Sequence, residues 1–179
     1  MSLTTFPPCE NCMEVVIDRL KRSLTARKEG IQENLFPEGM TYFFGAQVQN
    51  FVPELHSYEW CKWEEEVAFL VTANDGAWFA YVYDTVNSAI RAEVEGWAIP
   101  CIRRSAIQFL VDRCEGVVDE DDMVYVQETD DWLRDRARRV APLEGVVIPS
   151  GVPDSHWWWR LPSGDGMPSF DDLFGDPWS

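Results

Sequence analysis

The stretch that decides the fold is "VAFLVTANDGAWFAYVYDTVNSAIRAEVEGWAI", residues 67–99. Two turn signals interrupt it, "ANDG" at 73–76 and "TVNS" at 85–88. Between them "AWFAYVYD" is apolar at successive positions. After them Ile90, Ala92 and Val94 alternate with Arg91, Glu93 and Glu95. Alternation of apolar and polar residues is the period of a half-buried strand. Read this way, residues 67–99 form a three-stranded antiparallel meander whose middle strand is covered on both faces.

Working outward, "MTYFFGAQVQNFV" (40–52) reads as a further strand interrupted near Gly45, "MVYVQE" (123–128) as a short one, and "EGVVIPSGVP" (144–153) as a strand and turn. Three segments read as helices. Met13, Val16, Ile17, Leu20 and Leu24 recur at helical spacing before Gly30, giving a helix over about 10–29. Ser105 and Gln108 have capping-box spacing ahead of Phe109 and Leu110, giving 105–115 with a stop at Gly116. "TDDWLRDRARRV" carries acids early and arginines late, as the helix dipole favours, giving 130–140. The expected fold is α+β, helices on an antiparallel sheet. A single domain over 1–160 is expected, followed by an acidic, aromatic tail over 161–179.

The chain has 179 residues and a formal net charge of −16, from 31 acids against 15 bases. Residues 1–40 are almost balanced, so the acidity belongs to the middle and the end. Such a chain repels nucleic acid and anionic lipid directly, and suits a basic partner, including one that itself binds nucleic acid. Averaged over its surface, it carries one net charge per about 550 Å². Duplex DNA carries one per about 110 Å². DNA mimicry would therefore require the acids to gather on one face. "MSLTTFPPCE" has neither a basic n-region nor an apolar h-region, and no apolar run reaches membrane-spanning length. A soluble, cytoplasmic protein with reduced thiols is expected.

Chemistry-bearing motifs are few. Cys9-x-x-Cys12 stands before the first helix, where a thiol's pKa falls. Its position is similar to that in glutaredoxin-type proteins, but no strand–helix alternation follows it. As a zinc site it needs two more ligands, for which His56 and Cys61 in "HSYEWC" are the best pair. Two thiols on a first helical turn are the simpler reading, so no cofactor is expected. No phosphate loop and no nucleophile elbow occurs. The residues point away from an enzyme.

The remaining signals suit an interface. "HWWWR" (156–160) sets Trp157, Trp158 and Trp159 beside a histidine and an arginine, a hot-spot composition. Glu64, Glu65 and Glu66 follow Trp60 and Trp63, giving aromatic surface with an acidic rim. Asp119, Glu120, Asp121 and Asp122 read as a solvated acidic loop. In the tail, Phe170, Leu173 and Phe174 fall on one side of a single capped turn, with Trp178 beyond, similar to the acidic Phe-x-x-Leu-Phe peptides that dock in grooves.

The expected function is a non-enzymatic acidic binding protein that blocks, caps or chaperones a basic partner, as inhibitors, immunity or anti-defence proteins and viral or phage host-takeover proteins do. A zinc or thiol-redox protein using Cys9 and Cys12, and a subunit of a larger assembly such as a virion, are the alternatives.

Overall fold

Trp60, Trp63, Val67, Leu70 and Val71 are buried while Cys61, Lys62, Glu65, Glu66 and Phe69 are exposed. That spacing is the 3.6-residue period of a helix, and residues 58–73 form one. The computed structural model describes residues 12–31, 35–49, 58–141 and 148–163. Over these the protein is all-helical, with no strand. The helices are α1 (Cys12–Glu29), α2 (Leu35–Gln49), α3 (Tyr58–Ala73), α4 (Asp75–Ile90), α5 (Ala92–Glu95), α6 (Ala98–Arg113) and α7 (Glu120–Ala137), with a 3₁₀ turn at Trp157–Arg160.

The expected α+β fold and its meander are therefore wrong, and the reason is legible in the residues. The first of the two turn signals is real, but it is a corner between helices. Asn74 is fully buried, and its side-chain amide donates to the carbonyls of Leu70 in α3 and Leu20 in α1. The second, "TVNS", lies inside α4. There Trp78, Tyr81, Val82, Thr85, Val86 and Ala89 form the buried stripe. Phe79 and Tyr83 lie on the flank of this stripe and are exposed. With aromatics on both sides, the sequence loses its amphipathic period and mimics a covered strand. The alternation in 90–95 is a short helix, α5, ended at Gly96.

The segment expected as a strand at 40–52 is mostly α2, which ends at Gln49; residues 50–52 are not described. Phe36, Met40, Phe43, Phe44, Ala46, Gln47 and Val48 are all buried there. A helix that packs on several neighbours is apolar all round, and its β-favouring aromatics follow from burial. The 105–115 helix begins earlier, at Ala98, so Ser105 is a buried mid-helix residue rather than a cap. The 130–140 helix begins at Glu120 and absorbs "MVYVQE". Its true capping box is Asp119 with Asp122, in the acid run that reads as a loop. The expected strand at 144–153 falls partly outside the described residues, and 148–153 contain none.

The first helix conforms closely to its signals. Gly30 takes a positive φ of 71°, its N–H bonds the Arg27 carbonyl and the Ile31 N–H bonds Ala26, a complete Schellman stop. α1 and α2 then pack as an antiparallel hairpin, with Gly39 close against Arg19 and Leu20. α6 packs on α2 through Phe44 and Phe109. α4 and α7 run parallel. Trp78 donates to Asp122 at 2.8 Å at one end, and Arg136 bonds Glu93, just beyond α4, at 2.8 Å at the other. The segment 148–163 closes the body. Gly151 lies so close to the Val48 carbonyl that any side chain there would collide with it.

Candidate partner-binding surface

The described "HWWWR" residues do not form an exposed anchor. Trp158 and Trp159 are buried in the core, and their indole N–H groups both donate to Ser105 Oγ, at 3.0 and 2.9 Å. His156 Nδ1 lies 3.1 Å from the same oxygen. A hydroxyl accepts twice and donates once, so the Ser105 proton goes to Nδ1 and the imidazole carries its own proton on Nε2. Burial holds the His156 pKa down at about 4, with the charges of Arg104 and Arg160 adding to the effect. This serine–histidine contact is a structural hub. Both lone pairs of Oγ are engaged by the indoles, which leaves none for attack on a substrate. Arg104 completes the hub, over the Trp158 ring at 4.3 Å and forked onto Asp130 at 2.8 and 3.2 Å. Trp157 alone is half-buried, beneath Arg134 at 4.4 Å.

The acids expected at an interface divide in the same manner. Glu64 is buried, where it accepts from Gln47 at 3.0 Å and pairs with Arg113 at 3.5 Å. Glu66 pairs with Lys21 at 2.7 Å. Asp119 and Asp122 hold the start of α7, and Asp122 also holds Trp78. Glu65, Glu120 and Asp121 are exposed and have no ion pair among the described residues.

Of the zinc candidates, Cys9 and His56 lie outside the described residues, and of Cys12 only the backbone is described, as the first residue of α1. Cys61 is exposed beside a recess lined by Glu64, Glu65, Arg113 and Cys114. Among the described residues no group of three His, Cys, Asp or Glu converges as a metal site. The other described thiols are internal. Burial raises Cys101 well above its ordinary value, and burial with the charge of Glu64 pushes Cys114 up to about 11. Both are protonated, weakly nucleophilic thiols at neutral pH. Phe170, Leu173, Phe174 and Trp178 lie outside the described residues.

What the sequence reading missed is an aromatic surface on α4 and α7. Phe79 and Tyr83 stand one turn apart on the outer side of α4, their rings stacked with centroids 6.4 Å apart. Tyr125 of α7 meets both edge-on, at 5.7 and 6.0 Å. Phe79 is 51% exposed and Tyr83 49%. Asp121 and Glu128 stand one turn before and after Tyr125 on α7. Both acids are exposed and have no ion pair among the described residues. Placing Phe79 and Tyr83 on a helix in the sequence would have shown them, since they fall at i and i+4 just outside the edge of the buried stripe that Val82 and Val86 form.

A second concavity, of about 580 Å³, opens between α1, α2 and α4, where Arg27, Phe36, Tyr81 and Asp84 line it. No helix among the described residues is long and apolar enough to cross a membrane. No protein family, curated protein or solved structure matches the chain.

Proposed function

We propose that this is a binding protein that caps a basic surface on a partner protein. The observation that carries the reading is how the charges pair. Most of the described bases, from Arg19 and Lys21 in α1 to Arg136 in α7 and Arg139 just after it, have a carboxylate within 4.0 Å. The surplus of acid is what remains, and Glu65, Asp84, Glu120, Asp121 and Glu128 present it to solvent. Lys28, Lys62, Arg103 and Arg138 apart, positive charge among the described residues is thus locally cancelled, while much of the negative charge is not. Such a surface attracts a basic partner at long range and speeds encounter.

Salt titration of binding to a basic probe protein tests the reading. Affinity should fall steeply from low to high salt, chiefly through a slower association rate. Affinity that stays flat, or an absence of binding to any basic probe at low salt, would overturn it.

A further inference from the structure

We infer that the α4–α7 surface centred on Phe79, Tyr83 and Tyr125 is where that partner docks, and that it receives an amphipathic basic helix. The inference rests on the proposed capping function and gives it a place and a ligand form.

Charge selects the occupant. The apolar centre is bounded on α7 by Asp121 and Glu128, with no base paired to either of them among the described residues. A second copy of this chain would set these acids against their own kind at a net charge of −16 per chain. The chain's own end, residues 164–179, carries Asp165, Asp171, Asp172 and Asp176 and no base, so it is repelled in the same way. A segment with an apolar stripe flanked by Arg or Lys satisfies both parts of the surface.

Geometry selects the form. Phe79 and Tyr83 are spaced by one helical turn, and Tyr125 stands against both of them across the seam between two parallel helices. Apolar anchors at i, i+3, i+4 and i+7 of an incoming helix match that spacing. Asp121 and Glu128 are about 10 Å apart along α7, which places a carboxylate near each end of the contact. Guanidinium groups over the two tyrosine rings add to the attraction.

The test uses the full chain and two synthetic peptides of about 18 residues. One has a leucine stripe flanked by arginines, and the other is a scramble of it with no stripe. Binding is read by fluorescence anisotropy. The wild type should prefer the striped peptide. Phe79→Ser with Tyr83→Ser should weaken it about tenfold or more, with the melting temperature preserved. Asp121→Lys with Glu128→Lys, at exposed positions, should weaken it and flatten its salt dependence.

Striped-peptide binding that survives both double substitutions would overturn the docking site and leave the capping function standing. Equal binding of the two peptides would also overturn it, because it removes the apolar centre from recognition. If neither peptide bound the wild type at low salt, both proposals would be overturned. Sedimentation as a dimer that Phe79→Ser with Tyr83→Ser splits would make the surface a self-interface and overturn the basic occupant.

Discussion

The Ser105 hub and the α4–α7 surface are both clusters of aromatic rings with charged neighbours, yet they are opposites. In the hub, the indoles and the guanidinium group have partners, and His156 Nε2 is the one polar ring atom of the cluster left without one. The indoles of Trp158 and Trp159 go to Ser105, the indole of Trp97 to the Trp158 carbonyl, and Arg104 to Asp130. On the α4–α7 surface the rings stack on one another, with Tyr125 also resting against the core, and the nearby acids are unpaired among the described residues. Buried aromatics with polar atoms must satisfy them or lose stability. Rings at the surface have water for that purpose, so their apolar faces can be kept for a partner. The difference predicts that the hub governs folding and the outer surface governs binding.

The comparison breaks most visibly at Trp158. Trp158→Ala should cost about 3–5 kcal/mol in chemical denaturation, from the lost volume and the arginine left without its ring. A loss below 1 kcal/mol, within the range of an ordinary surface change, would mean that the hub is not a core element.

Ser105→Ala removes a single oxygen yet strands two indole N–H groups and an imidazole. At about 1 kcal/mol or more for each orphaned group, the expected cost is about 3 kcal/mol. Ser105→Thr keeps the oxygen and should recover part of it. Denaturation midpoints of the two variants decide whether hydrogen bonding or packing dominates.

His156 sharpens the comparison through pH. Its pKa is about 4 in the fold and ordinarily 6.5. Between those values the unfolded chain takes up the proton and the folded chain does not. Its contribution is therefore complete above pH 6.5 and is lost as pH falls toward 4. The full loss amounts to about 3 kcal/mol. Other carboxylates titrate in the same range, so the informative measurement is the difference from His156→Gln, whose stability should fall less between neutral pH and about pH 4.5.

Least affected should be stability after Phe79→Ser. It should change by under about 1 kcal/mol, because half the ring is already in water. If it unfolds the protein, the outer surface belongs with the hub and the contrast fails.

Parts of the fold were legible because they depend on local backbone chemistry. Gly30 ends α1, Asn74 turns the chain at "ANDG", and the arginine-rich stretch expected as a helix over 130–140 lies largely in one, although that helix starts ten residues earlier. The type of element in residues 40–99 was not legible. Aromatics at Phe69, Phe79 and Tyr83 fill the faces that would otherwise be polar, and α2 is buried on most sides. The candidate site was legible in kind, as acidic and aromatic, but "HWWWR" carried the stronger signal and went to the core. No local feature separates Trp158 from Phe79.

By itself the sequence determined an acidic chain with no evident catalytic motif, one well-capped first helix, and the positions of several breaks. Only the tertiary structure decided which aromatics are inside and which acids are free. Burial is a property of neighbours: Ser105 lies 51 residues from His156, and Tyr125 lies 46 from Phe79. Hydrophobic period reports one face of one element, and it falls silent when both faces are apolar for different reasons.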